Sequence, residues 1–291
     1  HMNVLMIHGI GQEGSTQQEL IDKWTSSLHG VAPGLLKGST INMAYYGTTL
    51  ADWTTGKTKA AVGMGADDTE VDIGDDEEVK FLASALEEAL VESGGGEAEI
   101  DAALEEAGDN AVPMDTFIGR RLVGLVRALE KISPAKGSIL LRVVKQGHTY
   151  LSAPGAGTAV DAIVRPYLQK SPQVLITHSL GTVIAFKLLR EMEAQGNSVE
   201  IPLLITMGSP LGLDAFKKKL GAPRRKPSFV KRWENFYDPS DLVALGKNLD
   251  ESTFAGGIEN DGSVDNQTSN AHGIIGYLPH KGVIDALKKV L

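Results

Sequence analysis

The sequence QVLITHSLGTVIAF occupies residues 173–186 and decides the fold of this chain. An apolar run, Val174–Ile176, leads to Ser179, and the residues that follow Gly181 are again mostly apolar. A short apolar run bounded by turn residues is typical of a buried strand, and the segment after it is typical of a buried helix. We therefore predict a sharp strand-to-helix turn with a serine at its tip.

Strand and helix patterns alternate on both sides of this turn. The predicted strands cover residues 3–7, 41–46, 173–177, 203–207 and 232–237, and the predicted helices cover residues 16–28, 117–131, 159–169, 180–194 and 283–291. This alternation predicts an α/β fold with a doubly wound, mostly parallel sheet, whose ligand site lies beyond the carboxyl ends of the strands. With 291 residues, we expect a single domain over 1–291.

One acidic segment interrupts the alternation. Between Ala66 and Asn110 there are seventeen Asp and Glu residues and one Lys, a local net charge of −16 against −9 for the whole chain. Apolar residues recur at helical spacing within it, from Phe81 to Leu90. We predict a helical insertion within 51–112, with a solvated, partly disordered acidic loop as the alternative. A calcium loop is disfavoured, because Ile73 stands where such a loop needs glycine.

The overall composition excludes several classes of site. The chain has no cysteine, so it has no disulfides, thiolate metal ligands or cysteine nucleophiles. No apolar run reaches the ~20 residues that span a bilayer, so we expect a soluble protein. Cytoplasmic residence is favoured over secretion, although a signal peptide removed before residue 1 would leave no trace.

A basic segment follows the turn. Eight Lys and Arg residues and no acid lie between Lys217 and Arg232. One interpretation is a solvated loop that pairs with the acidic insertion. The other is a surface for an anionic membrane or a phosphate-bearing substrate. A nucleic-acid partner is not expected.

The glycines after the first strand match a dinucleotide-binding pattern. Residues 9–14, GIGQEG, have the form GxGxxG between a strand and a helix, as that fingerprint requires. The second predicted strand ends in Ala44-Tyr45-Tyr46-Gly47, without an acid to hold a ribose. Dinucleotide binding is therefore disfavoured, and no cofactor is predicted.

Asp241 and then His272 follow Ser179 along the chain. This order of serine, acid and histidine, together with the turn around Ser179, resembles the lipase and esterase branch of the α/β-hydrolase superfamily. The resemblance covers nearly the whole chain except the acidic insertion, and it departs from the usual GxSxG form at Thr177, whose β-branched side chain is expected to crowd the turn. It implies hydrolysis of a small-molecule or lipid carboxylic ester through an acyl-serine intermediate, with the insertion in the place of a lid.

The resemblance also implies a role for each site residue. Ser179 is the nucleophile, His272 is the base, and Asp241 is the acid that orients the base. The HGIG run after the first strand is similar to the oxyanion loop of lipases, so the backbone amide of Ile10 is expected to bind the oxyanion together with that of Leu180.

Some assignments keep alternatives. Asp238 is the alternative acid and His280 the alternative base, whereas Ser209, directly before a proline, is expected to be a turn residue. An acyltransferase, an amidase or a thioesterase would use the same three residues. A non-catalytic binding protein on the same fold is the remaining alternative.

Overall fold

The computed structural model describes residues 1–12, 14–54, 58–61, 70–73, 75–108, 117–132, 136–197 and 199–291. Glu13 of the glycine-rich run and Asp67 and Asp68 of the acidic run lie outside the described residues. No helix in the described ranges has the length and apolar character needed to cross a membrane.

Within the described residues six strands form one open, all-parallel sheet, in the order β2-β1-β5-β6-β7-β8. They are β1 (Asn3–Ile7), β2 (Thr40–Ala44), β5 (Gln173–His178), β6 (Ile201–Met207), β7 (Val230–Phe236) and β8 (Ile258–Asp261). A separate antiparallel pair joins β3 (Thr58–Ala61) and β4 (Glu70–Ile73). The five predicted strands are confirmed, with ends shifted by two residues or fewer. The edge strand β8 was not predicted, because its sequence IEND lacks an apolar run.

The central strands β1, β5 and β6 are buried on both faces, which explains their largely apolar sequences. Val4 and Met6 of β1 face one core, and Leu5 and Ile7 face the other. Helices cover both faces, as in a doubly wound arrangement. The first face packs against α1 (Gln17–His29), α10 (Ile274–Tyr277) and α11 (Lys281–Lys288). The core of the second face includes α2 (Gly47–Trp53), α3 (Asp76–Glu92), α4 (Glu97–Ala107), α5 (Phe117–Ile132), α6 (Lys136–Ser152), α7 (Ala156–Val164), α8 (Leu180–Ala194) and α9 (Asp214–Leu220).

The helix predictions are confirmed in most places. The helix predicted over 159–169 is α7 followed by a 3₁₀ turn, Arg165–Gln169, because Pro166 cannot donate the backbone hydrogen bond that would continue the helix. The helices α2, α6, α9 and α10 were not predicted. In α6 the β-branched residues and Gly147 lower helix propensity, but Gly147 packs against the Phe216 ring, so tertiary packing stabilises the helix.

The acidic insertion is folded into the main core. Leu82, Leu86 and Leu90 of α3 and Ile100 of α4 are buried in the same apolar cluster as Leu175 of β5. The predicted helical insertion is therefore confirmed over 76–92 and 97–107, and the alternative of a solvated loop is wrong for these residues. The burial of one apolar face explains why so acidic a segment is ordered.

The basic segment is only partly a loop. Its first residues belong to α9 and its last to β7, so the interpretation as a solvated loop is wrong at both ends. Lys219 of this segment lies 3.0 Å from the Glu77 carboxylate of α3. The predicted pairing of the basic segment with the acidic insertion is confirmed at this contact.

Candidate active site

The strand order creates a crevice between β1 and β5. The chain leaves β1 toward α1 on one face of the sheet and leaves β5 toward α8 on the other face. Loops that diverge in this way open a crevice at the carboxyl edge, where ligands bind in open α/β sheets. The predicted site residues all follow strands at this edge. They are Ile10 after β1, Ser179 and Leu180 after β5, Asp241 after β7 and His272 after β8.

Ser179 occupies a strained turn between β5 and α8. Its backbone has φ 55° and ψ −126°, a positive φ that non-glycine residues adopt rarely and at an energetic cost. Its N–H donates to the Met207 carbonyl oxygen at 2.9 Å, and its carbonyl oxygen accepts from Thr182 Oγ1 at 2.7 Å. A Cβ on Gly181 would lie 2.6 Å from the His8 carbonyl oxygen, so only glycine lets α8 approach β1 this closely.

Thr177 is accommodated without the expected crowding. It belongs to β5, where it pairs with Ile7 and Thr206. Its buried hydroxyl donates to the Ile205 carbonyl oxygen at 2.6 Å. A β-branched side chain fits this extended backbone, because the positive φ falls two residues later, at Ser179.

The structure brings Ser179, His272 and Asp241 into one chain of hydrogen bonds. His272 Nε2 lies 2.8 Å from Ser179 Oγ, and His272 Nδ1 lies 2.9 Å from Asp241 Oδ2. An ionised carboxylate only accepts, so Nδ1–H donates to Asp241 and Nε2 is left to accept the serine proton. All three side chains are buried.

Asp241 is fully buried and held by three donors. Besides His272, the Tyr277 hydroxyl donates to Oδ2 at 2.6 Å and the Val243 N–H donates to Oδ1 at 3.0 Å. Burial opposes ionisation, but His272, the Tyr277 hydroxyl and the Val243 N–H together hold the Asp241 pKa below its usual value. The carboxylate is therefore ionised at neutral pH.

The two alternative residues have other partners. Asp238 accepts from the backbone N–H groups of Ser240 at 2.8 Å and Asn266 at 2.9 Å. His280 Nε2 lies 2.8 Å from Asp261 Oδ2. The acid against His272 is Asp241 rather than Asp238. Ser209 lies at a 3₁₀ turn, as expected, where its Oγ accepts from the Leu211 N–H at 3.2 Å.

His178 anchors the loop that carries His272. Its Nε2–H donates to the His272 carbonyl oxygen at 2.7 Å, and the His272 N–H donates to Asn270 Oδ1 at 2.9 Å. Burial lowers the His178 pKa to about 3, so the ring is neutral at pH 7. No role for His178 was predicted, and the sequence contains no signal for this contact.

Tyr46 and His8 orient the loop after β1. The His8 Nδ1–H donates to the Gly9 carbonyl oxygen at 2.6 Å, and the Tyr46 hydroxyl donates to the His8 carbonyl oxygen at 2.6 Å. The two rings stack with centroids 4.1 Å apart. In a trans peptide the N–H points opposite to the carbonyl, so a fixed Gly9 carbonyl fixes the direction of the Ile10 N–H. No role for Tyr46 was predicted from the sequence.

This loop lies directly against the serine. A Cβ on Gly9 would come within 2.8 Å of Ser179 Cβ. On the other side, Leu180 is the first residue of α8, and the first N–H groups of a helix have no acceptor within it. The amides of Ile10 and Leu180 thus belong to the two backbone segments that flank the serine.

A cleft of about 370 Å³ opens beside His272. Its described lining residues are Ile10, Gly11, Gln12, Lys23, Ile139, Arg142, His178, Thr268, Asn270, His272, Gly273, Ile274 and Ile275. Ser179 is fully buried beneath this site. The described residues of the acidic insertion do not line the cleft, whereas Ile139 and Arg142 of α6 do. Among the described residues, the helix that lies next to the cleft is therefore α6.

Within the described residues no cluster of three or more His, Asp or Glu side chains is arranged to hold a metal ion. Comparison of the chain with protein-family models, with curated proteins and with solved structures found no significant match.

Proposed function

We propose that this chain is a serine hydrolase of the α/β-hydrolase superfamily that cleaves carboxylic esters through an acyl-serine intermediate. The observation that carries the proposal is the chain of hydrogen bonds from Ser179 Oγ through His272 to Asp241, at 2.8 and 2.9 Å. The positive φ of Ser179 supports it, because backbone strain of this kind is concentrated at functional sites. A serine that served only as a helix cap would need neither the strain nor the buried carboxylate.

In the proposed reaction Ser179 Oγ attacks the ester carbonyl carbon while its proton passes to His272 Nε2. The carbonyl oxygen becomes an oxyanion, which the N–H groups of Ile10 and Leu180 bind. The imidazolium returns its proton to the alkoxide, the C–O bond breaks, and the alcohol leaves. Water then attacks the acyl-serine by the same route, which releases the carboxylic acid and restores the serine. Throughout, Asp241 stays ionised and stabilises the imidazolium.

A fluorophosphonate probe tests the nucleophile, because it phosphonylates only an activated serine. We expect the wild-type protein to be labelled and Ser179→Ala to lose the label. Ser209→Ala is the matched control, since Ser209 is buried nearby and hydrogen-bonded to Thr182 at 2.8 Å. Labelling that persists in Ser179→Ala, or a folded wild-type protein that takes no label, would refute the proposal and favour a binding protein.

A second experiment determines which bond type the protein cleaves and which acyl length it prefers. A series of 4-nitrophenyl esters from acetate to palmitate, each compared with its anilide and thioester, gives kcat/KM for each bond type. We expect the esters to be cleaved fastest. If added methanol or hydroxylamine captures most of the acyl group, so that little carboxylic acid forms, the result would instead indicate an acyltransferase.

A further inference from the structure

We propose that the cleft beside His272 binds an anionic group of the substrate through Lys23 and Arg142. Both side chains line this cleft, and both are exposed. Lys23 comes from α1 and Arg142 from α6, so the two cations come from opposite faces of the sheet. The inference rests on the proposed function and deepens it, because it names the substrate class as esters that carry a carboxylate or a phosphate.

The charge of the cleft is opposite to that of the whole chain. The protein has a net charge of −9, yet none of the described residues that line the cleft is Asp or Glu. Two unopposed cations in a concave site attract an anion more strongly than the same charges on a flat surface, because the low-dielectric walls focus the field.

Neither cation forms an ion pair or a side-chain hydrogen bond with another described residue. Other basic side chains form ion pairs, as Lys219 does with Glu77 and Lys247 with Glu92. In the described part of the chain no carboxylate lies within ion-pair distance of Lys23 or Arg142. An arginine guanidinium can donate two parallel hydrogen bonds to a carboxylate or a phosphate, which adds geometric selection to the charge.

The remaining lining residues suit an ester next to such a group. Ile10, Ile139 and Ile275 offer apolar contacts beside His272. The cleft volume of about 370 Å³ lies within the range of small-molecule sites. We therefore assign the anion to a small ester with the scissile carbonyl at Ser179 and the charged group at Lys23 and Arg142.

The test compares isosteric anionic and neutral esters in two arms. The first arm uses the 4-nitrophenyl esters of glutaric acid monoanion and of its neutral monoamide. The second arm uses octanoyl glycerol phosphate and octanoyl glycerol, which places the charge on the alcohol side. For each pair we measure the ratio of kcat/KM, anionic over neutral, in the wild type, Lys23→Gln, Arg142→Gln and the double variant. Lys37→Gln and Arg224→Gln are matched controls, since both residues are exposed and lie outside the cleft.

We expect the wild type to favour the anionic ester in at least one arm. A preference in the first arm places the charge on the acyl side of the ester, and a preference in the second arm places it on the alcohol side. The double variant should lower that ratio about three- to tenfold, and raising the salt concentration should lower it in the wild type. The control variants should leave it unchanged. Equal rates for anionic and neutral esters in both arms, or a ratio insensitive to both substitutions, would overturn the inference.

A binding measurement separates this inference from the proposed function. In Ser179→Ala, titration calorimetry measures the affinity for the 4-nitroanilide of glutaric acid monoanion against that of its neutral monoamide. Tighter binding of the anion that depends on Lys23 and Arg142 supports the inference even if the wild type hydrolyses no ester. Equal affinities refute it even if the wild type is an active hydrolase.

Discussion

At the scale of single residues, Tyr277 holds the acid of the proposed triad. Its hydroxyl donates to Asp241 Oδ2 at 2.6 Å and accepts from the Asp238 N–H at 3.0 Å. Tyr277→Phe removes one of the donors that hold the Asp241 pKa below its usual value, so this pKa rises. We expect kcat/KM for an ester to fall about tenfold, with the acidic limb of its pH profile displaced to higher pH.

The pH profile of kcat/KM from pH 3 to 8 checks this prediction. Tyr237→Phe is the control, because the Tyr237 hydroxyl donates to Asn248 at 2.7 Å and makes no contact with Asp241. An unchanged profile in Tyr277→Phe would mean that the hydroxyl only fills space beside the acid.

Two buried neutral histidines make the stability of the site depend on pH. Burial lowers the pKa of His8 to about 4 and that of His178 to about 3, from an ordinary value near 6.5. The unfolded chain therefore binds more protons than the folded chain at pH values between about 4 and 6.5. The contribution of the two neutral histidines to the free energy of unfolding is fully present above pH 6.5 and is lost as the pH falls toward 4.

We predict that His8→Asn reduces the pH dependence of the free energy of unfolding between pH 6.5 and 4. For His8 alone the lost contribution is on the order of 3 kcal/mol between pH 6.5 and 4. Urea unfolding at half-unit pH steps gives the slope of the free energy of unfolding for the wild type and the variant. The variant is less stable at pH 7 and has the smaller slope; equal slopes would show that the His8 ring protonates without cost in the folded protein.

The sequence predicted which residues meet at the site better than it predicted what supports them. Ser179, Asp241 and His272 could be selected by their order and by the turn residues around each of them. The contacts of Tyr46 with His8 and of His178 with His272 join positions 38 and 94 residues apart. Local pattern carries no information about such pairs, because they depend on which strands become neighbours in the sheet.

At the scale of the elements, α6 borders the cleft beside His272. Ser179 is fully buried, and Ile139 of α6 lines the cleft beside His272 and also a small cavity next to Asp241. Ile139→Ala shortens the side chain at this position and widens the approach to Ser179. We expect the rate constant of fluorophosphonate labelling to rise about threefold or more, because access limits a buried nucleophile.

Leu140→Ala is the comparison for this prediction, since Leu140 is adjacent on α6 but fully buried in the core. It should lower the free energy of unfolding by about 2–5 kcal/mol without a comparable gain in labelling rate. A labelling rate unchanged by Ile139→Ala would place the route to the serine elsewhere.

Two of the elements that were not predicted, α6 and β8, share a physical cause. The helix α6 contains two glycines and several β-branched residues, and the strand β8 is polar, so local propensity opposes both assignments. Each is stabilised by contacts with an element outside its own segment, α6 by α3 and β8 by β7. The buried strands β1 and β5 were predictable because both of their faces are apolar.

At the scale of the whole molecule, the acidic insertion is continuous with the core. Its exposed side carries the negative charge, and its buried side joins the cluster that also contains Leu175 and Leu204 of the central strands. Salt bridges from Lys219 and Lys247 to this insertion are partly exposed, so each adds at most about 1 kcal/mol. Apolar burial therefore attaches the insertion to the domain, together with a buried ion pair between Glu78 of α3 and Lys145 of α6.

A core substitution in the insertion should consequently destabilise the whole domain. Leu86 of α3 is fully buried, and Leu86→Ala is expected to lower the free energy of unfolding by about 2–5 kcal/mol in a single transition, as Leu175→Ala in β5 should. Val91→Ala on the same helix is the control, since Val91 is 60% exposed and its truncation should cost less than about 0.5 kcal/mol.

Urea unfolding followed by circular dichroism and by tryptophan fluorescence reports helices and core together, because Trp24 and Trp233 are buried in the two cores. Coincident transitions in Leu86→Ala support one cooperative domain, whereas an early loss of helix with unchanged fluorescence would show that the insertion unfolds on its own and behaves as a separate lid.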